Sequence, residues 1–389
     1  MLYNLLQSMD QWLDSLGLYS FLQVLYQREF RAFTAVIVAF FIVILFGKWW
    51  IRILVKLKIG DHANFDHAEL DALMKNKENT PTMGGVLLIG SVLVTTFLFA
   101  DLFNQYVRLL MMAIFMFAVL GAFDDYLKLV SGHRKPGSRD GLYRWEKLLF
   151  QFGIGVIVAF MAWKYASVSD AAHSLTLPFM RTYVPGNETL TISPNLIVLG
   201  AGSFFVLSIF MVMLMSNAVN ITDGLDGLAP GTVAIASFAM MVLSYIAGSP
   251  ELAGDLLLPP VEGAAEMMVV AGASAGACLG FLWFNCPPAQ VFMGDTGSMP
   301  LGGLLATIAI IIRQEFLLLI IGGIFVIEIG SSFIQIYFCK FTGGKRLFKV
   351  APIHHHFHRK GWSESQVVIR FWVIAIILAM IALVTIKMR

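Results

Sequence analysis

The sequence predicts an all-α membrane protein, and three observations lead to this fold class. Of the 389 residues, 58% are hydrophobic and only 13% are charged, and the mean hydropathy is +0.77. Soluble domains are about half apolar and about a quarter charged, so this chain lacks the polar surface that a water-facing body needs. Long apolar runs follow one another almost from end to end. They predict one polytopic domain over 1–389, with a transmembrane core over 33–387.

About ten apolar runs are long enough to cross a bilayer as helices. A spanning helix needs about 20 apolar residues, because the hydrocarbon core is about 30 Å thick and each helical residue rises about 1.5 Å. The predicted spans are 33–55, 82–100, 107–126, 146–166, 196–216, 230–248, 265–284, 298–312, 316–338 and 367–387.

Two segments outside these spans have a predicted structure of their own. Residues 1–31 lack the basic start of a signal peptide, and their apolar positions predict an amphipathic helix at the membrane interface. Prolines and an alternating pattern within 167–195 predict a small external hairpin. The residues expected to be buried free thiols, since none forms a CxxC pair, are Cys278, Cys286 and Cys339.

Basic residues predict the orientation in the membrane. Short loops rich in lysine and arginine face the cytoplasm, and three loops here are rich in such basic residues. They follow the first, third and ninth spans, and their basic residues are Lys56, Lys58, Lys75, Lys77, Lys128, Arg134, Lys135, Arg139, Arg144, Lys147, Lys340, Lys345, Arg346, Lys349, Arg359 and Lys360. The loops after odd-numbered spans are therefore predicted to be cytoplasmic. With ten spans, both termini are then periplasmic.

Acidic residues mark the same ends of the predicted spans. Asp124 and Asp125 end the third span, Asp223 and Asp226 follow the fifth, and Asp295 precedes the eighth. The orientation from basic residues places all of them on one side, although it was derived without them. Carboxylates at a membrane boundary are costly to desolvate and are often functional. The alternative is that each acid merely caps a helix.

Spacing suggests how these acids are arranged. Asp223 and Asp226 are three residues apart and share a face if the chain turns helically there. Asp124 and Asp125 are adjacent and cannot point the same way, so one can serve chemistry while the other is held by structure or by a metal. Hard oxygen ligands with few histidines nearby suit magnesium, which often also binds substrate phosphates.

The loop between the ninth and tenth spans is basic and carries four of the eight histidines. Three interpretations compete for it. The charges could contact anionic lipid headgroups, or the histidines could bind zinc, or the loop could clamp a nucleotide or pyrophosphate. Zinc is the weakest of these, because consecutive histidines on one element cannot all face one ion. Composition leaves the lipid contact and the phosphate clamp open.

Five motifs together resemble the phospho-N-acetylmuramoyl-pentapeptide-transferase family of bacterial peptidoglycan synthesis. They are TPTMGG (Thr80–Gly85), FDDYLK (Phe123–Lys128), NAVNITDGLDGLAPG (Asn217–Gly231), FMGDTGS (Phe292–Ser298) and PIHHH (Pro352–His356). The aspartate motifs alone indicate only the wider superfamily of polyprenyl-phosphate phosphosugar transferases. TPTMGG and PIHHH narrow the resemblance to the muramoyl-pentapeptide branch.

The resemblance implies a ten-helix homodimer in the bacterial inner membrane, with its active site facing the cytoplasm. It implies UDP-N-acetylmuramoyl-pentapeptide as donor, undecaprenyl phosphate as acceptor, and UMP and lipid I as products. Mg²⁺ is the implied cofactor, and no nucleic acid is an expected partner. Two departures from the family pattern are His358, where an acidic residue is usual, and an expanded stretch at 249–264.

The resemblance also implies residue roles. Asp295 is the principal magnesium ligand, and Asp124 and Asp125 are a catalytic acidic pair and possible further ligands. His354 begins the histidine motif needed for activity. The implied substrate-side residues are Lys77, Thr82, Lys128, Asn220, Asp223, Asp226, Asn285, Phe292, Gln335, His355 and His356.

Direct in-line attack by the lipid phosphate is the favoured mechanism. A phosphate monoester has a second pKa of about 6, so the acceptor is largely a dianion at neutral pH and needs no protein nucleophile. Asp124 would take any residual proton. The alternatives are a double displacement through an aspartyl-phosphate, a different phosphosugar transferase, and a transporter or channel. Transport would place charges near the bilayer midplane, where Glu328 is the main candidate and is expected to be a buried, hydrogen-bonded helix contact.

Overall fold

The computed structural model of the protein describes residues 1–15, 22–57, 80–131, 141–166, 173–185, 190–194 and 196–387. Most of this backbone is helical. The α-helices, in chain order, are α1 (Leu2–Ser8), α2 (Asp10–Ser15), α3 (Arg28–Lys56), α4 (Gly85–Phe99), α5 (Gln105–Ser131), α6 (Arg144–Tyr165), α7 (Ala201–Thr222), α8 (Leu228–Ala247), α9 (Pro250–Asp255), α10 (Met267–Asn285), α11 (Asp295–Ile311), α12 (Glu315–Ile321), α13 (Gly323–Phe341), α14 (Ile353–His358) and α15 (Glu364–Lys387).

The predicted all-α membrane fold is confirmed. Among the described residues, eight helices are long and apolar enough to cross a membrane, and two shorter apolar helices, α4 and α11, accompany them. Together they match the ten predicted runs. A helix suits each run because it pairs every backbone N–H and C=O within the segment, where lipid offers no partner.

Several boundaries differ from the predicted ones. Helix α5 continues to Ser131, so the adjacent acids lie inside it rather than at its end. The ninth predicted span is two helices, α12 and α13, which meet at Gly322. Residues 1–15 form two short helices instead of one long amphipathic helix, and residues 16–21 lie outside the described ranges.

The N-terminal segment is tied to one end of the bundle. The Asn4 amide donates to Asp101 at 2.7 Å, just beyond α4. Beside it, Arg31 makes a two-pronged ion pair with Glu266, with nitrogen to oxygen distances of 2.6 and 2.9 Å. Both side chains are buried, so the charges compensate each other where water cannot. Glu266 precedes α10, whose other end, at Asn285, lies at the end of the bundle that carries Asp226 and Asp295. The N-terminal segment is therefore at the opposite end from those acids.

Four short strands interrupt the helices between α6 and α7. Strand β2 (Tyr183–Pro185) pairs antiparallel with β3 (Leu190–Ile192), which confirms the predicted hairpin. Strand β1 (Ser174–Leu175) pairs with β4 (Ile197–Val198) at its base. The side of the membrane on which the hairpin lies stays a prediction.

The prediction that all three cysteines are buried was wrong. Each is a free thiol, but only Cys278 is buried, while Cys339 is partly exposed and Cys286 is exposed. Cys286 follows the last residue of α10 and has therefore left the apolar run that suggested its burial.

Helices α10 and α11 form the centre of the bundle. Every residue of α11 is buried, and it contacts α4, α5 and α7. Helix α10 packs along α3 through a row of glycines, and a Cβ on Gly276 would overlap the carbonyl oxygen of Val36. Such close backbone contact is typical of membrane helices, which associate by packing rather than by excluding water. Glycines of α11 make equally close contacts, since a Cβ on Gly302 would overlap the Met215 carbonyl oxygen of α7. This packing fixes α11, and with it the residue at its first position, Asp295.

Candidate active site

Three carboxylates from two helices meet at one end of the bundle. Asp124 and Asp125 come from α5, and Asp295 opens α11; one oxygen of each lies within 4.8 Å of the others. We call these three residues the carboxylate cluster. All three are buried, with Asp124 at 0% and Asp295 at 8% exposed. The structure thus brings together acids that are 170 residues apart in the chain.

Asp125 holds the first turn of α11. Its Oδ1 accepts a hydrogen bond from the Asp295 N–H at 3.1 Å, and its Oδ2 accepts from the N–H and hydroxyl of Thr296 at 2.9 and 2.6 Å. The first N–H groups of a helix have no partner within it, so Asp125 caps α11 from another helix. A side chain on Gly294 would collide with this carboxylate. Of the adjacent pair, Asp125 is the acid held by structure.

Asp124 faces two lysines. Its Oδ2 lies 2.9 Å from Lys128 Nζ and 2.7 Å from Lys147 Nζ, and its Oδ1 accepts a hydrogen bond from the Leu142 N–H at 2.7 Å. Lys147 also reaches Asp295 at 2.5 Å, and Lys128 reaches it at 3.3 Å. Two ammonium groups therefore balance part of the charge of three carboxylates.

Asn220 and Asp223 bring the end of α7 to the cluster. The Asn220 amide donates to Asp295 Oδ1 at 2.8 Å and to Ser298 Oγ at 3.0 Å. Desolvation, followed by the charges of Asp295 and Asp125, raises the pKa of Asp223 to about 8. In the absence of a further cation, Asp223 is therefore mostly neutral at pH 7.

The expectation that Asp223 and Asp226 share a helical face was wrong. Asp223 ends α7 with ψ of 45°, and Gly227 has φ of 81°, so the chain makes a non-helical turn between α7 and α8. Asp226 turns toward another loop, where its Oδ2 accepts a hydrogen bond from the Ala289 N–H at 3.0 Å. Asn285 braces the same two loops, since it accepts from the Gly227 N–H and donates to the Val291 carbonyl.

His354 is buried beside the turn that follows α7. Its Nδ1 lies 2.9 Å from Glu328 Oε2 on α13, which confirms that Glu328 is a buried, hydrogen-bonded helix contact. The other ring nitrogen, Nε2, has no hydrogen-bond partner among the described residues. A Cβ on Gly224 would touch this nitrogen, so only glycine leaves room for it. The carboxylate orients the ring and leaves Nε2 for another partner.

Thr82 and Phe292 lie on a short backbone pairing next to the cluster. The Phe292 N–H donates to the Pro81 carbonyl at 2.8 Å, and its own carbonyl accepts from the Gly84 N–H at 2.9 Å. The Thr82 hydroxyl approaches the loop glycine Gly294. This pairing fixes the loop that leads into α11.

The remaining predicted residues lie elsewhere or outside the described ranges. Gln335 accepts a hydrogen bond from the Phe348 N–H at 2.8 Å, and His356 Nδ1 accepts from the Lys349 N–H at 3.0 Å. The His355 ring lies beside that of His354, with ring centres 4.2 Å apart and an interplanar angle of 59°. These contacts order the loop before α14 and do not join the carboxylate cluster. Lys77 falls within 58–79, outside the residues that the structure describes.

Lys147 and Thr296 are site residues that the predicted set did not include, although Thr296 lies within FMGDTGS. In the sequence, Lys147 contributes only to the predicted orientation, as a basic residue at the start of the fourth span. It stands on the same side as the acids, and that coincidence was a signal for its role. Thr296 follows directly on Asp295 and could have been recognised as a partner for an acid at a helix N-terminus.

The cluster fits a hard divalent cation. It offers carboxylate oxygens from three residues at the N-terminus of α11, and it holds two ammonium groups at 2.5–3.9 Å, so its charge already selects cations. Oxygen ligands of this kind suit magnesium better than zinc. In addition, the N-terminal dipole of α11 favours anions in front of it. The site is therefore suited to bring a cation and a phosphate together.

Comparison with known sequences agrees with this geometry. The profile of glycosyl transferase family 4 matches residues 107–313, and signature 1 of the phospho-N-acetylmuramoyl-pentapeptide-transferases matches residues 77–89. The chain is 41% identical over 371 residues to the phospho-N-acetylmuramoyl-pentapeptide-transferase of Desulforapulum autotrophicum, covering 95% of this chain and 96% of the relative. The enzymes of that name from Desulfotalea psychrophila and Desulfosudis oleivorans are also 41% identical, over 92% and 100% of this chain and 93% and 100% of their own lengths. With full-length identity at this level, the chain belongs to the phospho-N-acetylmuramoyl-pentapeptide-transferase family.

Proposed function

We propose that the protein transfers phospho-N-acetylmuramoyl-pentapeptide from its UDP derivative to undecaprenyl phosphate, releasing UMP and forming lipid I. The observation that carries the proposal is the carboxylate cluster with its two lysines at the N-terminus of α11. Family membership supports the chemistry, and a cluster at the end of the helices, rather than at mid-span, argues against a transporter.

The cofactor we propose is Mg²⁺, held by Asp295 with Asp124 and Asp125 as further ligands. When bound, it would supply positive charge to the phosphates that react. Because Asp125 already accepts three hydrogen bonds, Asp295 and Asp124 are the acids with the greater freedom to exchange their partners. Both now contact lysine ammonium groups, which a divalent cation would release.

Direct attack by the acceptor phosphate is the mechanism that the geometry supports best. An oxygen of the lipid phosphate would bond to the donor β-phosphorus as the bond from that phosphorus to the bridging oxygen breaks, and UMP would leave. Asp124 is poorly suited to be a nucleophile, because it is fully buried, contacts two ammonium groups and accepts a backbone hydrogen bond. Its proposed role is to accept a residual proton from the acceptor after its lysine partners have turned toward the phosphates.

Lysines and a histidine would bind the phosphates of the donor and the acceptor. Lys128 and Lys147 would turn from the carboxylates toward phosphate oxygens and stabilise the charge that is shared in the transition state. His354, whose Nδ1–H donates to Glu328 and whose Nε2 faces Gly224, would donate a hydrogen bond from Nε2 to a phosphate when the ring is doubly protonated. Lys77 stays a predicted substrate ligand.

We also propose a multi-pass location in the bacterial inner membrane, with the site facing the cytoplasm, both termini periplasmic and the protein a homodimer. Cys286 is exposed and follows α10 at the end of the bundle that carries the carboxylate cluster. Its thiol can be labelled to find which side of the membrane this end faces. A membrane-impermeant maleimide should label it in inside-out vesicles and not in right-side-out cells. Labelling from the outside would reverse the orientation, and native mass spectrometry tests the dimer.

Purified protein tests the reaction directly. UMP should be released from UDP-N-acetylmuramoyl-pentapeptide only when both undecaprenyl phosphate and Mg²⁺ are present. Turnover with UDP-N-acetylglucosamine in its place would overturn the substrate assignment. Rapid quenching with donor alone tests the mechanism, since a phosphorylated enzyme would contradict direct attack.

A further inference from the structure

An apolar cavity lies beside α14, on the part of the histidine loop that the proposed reaction does not use. Its volume is about 310 Å³, and it is lined by Phe357, Trp362, Arg370, Phe371, Val373 and Ile374. This is at the small end of the range for ligand pockets. Val373 and Ile374 lie on the exposed side of α15, the face that a membrane-spanning helix presents to lipid, so the cavity opens toward the bilayer.

Two cations lie against aromatic rings of the cavity lining. The rings of Phe357 and Trp362 stack with centres 4.6 Å apart and an interplanar angle of 16°. The Arg370 guanidinium lies 4.0 Å from the centre of the Trp362 ring, and Lys360 Nζ lies 6.0 Å from that of Phe357. Such cation–π contacts keep each charge near its ring.

These two cations have no carboxylate partner among the described residues, in contrast to the lysines of the carboxylate cluster. No described acid lies within 4.0 Å of either one, and both side chains are exposed. Arg370 is six residues from the start of α15, about 9 Å along the helix. Its guanidinium is turned to Trp362 at the loop, and tryptophan is typical of the level of lipid headgroups. An apolar cavity that is lined by the unpaired Arg370, with Lys360 near the Phe357 ring of the same lining, is complementary to an anionic amphiphile.

We propose that this cavity binds a bilayer phospholipid with an anionic headgroup. One acyl chain would lie along Val373 and Ile374 and enter the cavity, and the phosphate would lie against Arg370, with Lys360 adding positive charge on the same loop. The polyprenyl phosphate acceptor is also an anionic lipid. A bilayer phospholipid is favoured because these cations are separate from Lys128 and Lys147, next to which the reacting phosphate must lie.

Native mass spectrometry of the intact protein, released from nanodiscs of phosphatidylglycerol or phosphatidylcholine, tests the proposal. Phosphatidylglycerol should remain bound and phosphatidylcholine should not. Each basic residue near a membrane surface contributes enough to change anionic-lipid binding about fivefold, so Arg370→Gln and Lys360→Gln should each lower retention by about that factor. Lys56→Gln is the matched control, because Lys56 is exposed at the end of α3 on the same side. Equal loss in the control, or equal retention of the two lipids, would overturn the proposal.

A second pair of variants tests the acyl-chain part without changing charge. Ile374→Trp should fill the cavity and lower phosphatidylglycerol retention, whereas Ile377→Trp, on the same exposed helix but outside the cavity, should not. Both wild-type positions are exposed, so folding should be kept, which size-exclusion chromatography checks. If undecaprenyl phosphate displaces phosphatidylglycerol at equimolar concentration, the cavity belongs to the acceptor lipid and the proposal is wrong.

Discussion

Replacing Asp125 with asparagine changes one atom and separates the structural role of this acid from a chemical one. The carboxylate accepts hydrogen bonds on both oxygens, from the Asp295 N–H on Oδ1 and from two Thr296 donors on Oδ2. Asparagine has a single acceptor oxygen. If that oxygen keeps Thr296, the new NH₂ group faces the Asp295 N–H, and two donors oppose each other at a buried position.

The expected cost follows from these contacts. A hydrogen bond to a charged group contributes about 1.5–3 kcal/mol, and leaving a buried donor without a partner costs about 1–3 kcal/mol. Asp125→Asn should therefore lower the free energy of unfolding by about 3 kcal/mol, or about 5 °C in the midpoint of thermal unfolding. Activity should fall as well, because Asp295 loses the group that fixes its position on α11.

Buried Cys278 provides the assay. Cys286 and Cys339, which are exposed and partly exposed, are first replaced by serine, so a thiol-reactive dye reports only the unfolding that uncovers Cys278. Unfolding is followed during a slow temperature ramp in detergent with a chelator present, so that metal binding does not contribute. The activity of the same samples is measured as UMP release.

Asp124→Asn is the matched control on the same helix. Asp124 contacts lysines and one backbone N–H, and neutralising it leaves the cap on α11 intact. We expect it to lower UMP release by about 100-fold with a smaller change in unfolding temperature than Asp125→Asn. Equal destabilisation by the two variants would refute the distinction between a capping and a reacting acid.

Four further predictions test other parts of the structure. Lys147→Gln should reduce kcat by about 100-fold with little change in the KM for the lipid acceptor, because its ammonium serves the reacting phosphates; steady-state kinetics decide, and an unchanged kcat would remove it from the site. Glu328→Gln should reduce activity less than His354→Gln, because it loosens the ring without removing it, and a double variant no worse than the His354 variant would show that they act as one unit. Since the pKa of Asp223 is raised from 3.8 to about 8, the folded metal-free protein holds a proton that the unfolded chain releases near pH 4. Its stability should then fall as pH rises from about 4 to 8, and Asp223→Asn should flatten this dependence in thermal unfolding; an unchanged slope would contradict the raised pKa. Gly276→Leu should lower stability by about 3 kcal/mol through overpacking at the facing helix, measured with the same dye, and a stable variant would show that α3 and α10 can separate.

The helical architecture could be predicted because lipid leaves the chain few choices. Apolar runs of sufficient length must form helices, so all ten were found from hydropathy. Their ends were less predictable. Helix α5 continues through Asp124 and Asp125. Apart from Lys128, the partners of these carboxylates lie outside α5, so residues 105–131 alone do not reveal them. Likewise, the break at Gly322 lies inside a run that hydropathy reads as one span, and only the Gly322–Gly323 pair marks it in the sequence.

The candidate site was predictable in its residue types and less so in its connections. The orientation derived from lysine and arginine grouped the acids correctly on one end, and the adjacent pair was expected to divide its roles. Which of the two is held depends on the approach of α11 to α5, a tertiary contact with no local signature. The same holds for Lys147, whose partners Asp124 and Asp295 lie on two other helices. Asp226 was misassigned in its geometry because Gly227 turns the chain out of a helix.

The two lysines around Asp124 also bear on how the chain enters the membrane. Lys128 lies one turn from Asp124 on the same helix, and Lys147 opens the next helix, whereas Asp295 is synthesised 148 residues after Lys147. Because segments insert in order of synthesis, the α5–α6 hairpin can pair this acid with counter-ions of its own before α11 exists. The early hairpin would then present an ion-paired carboxylate, rather than a bare one, at the edge of the bilayer. Lys128 and Lys147, which would turn toward phosphate in the reaction, would thus first neutralise Asp124 while the chain inserts into the membrane.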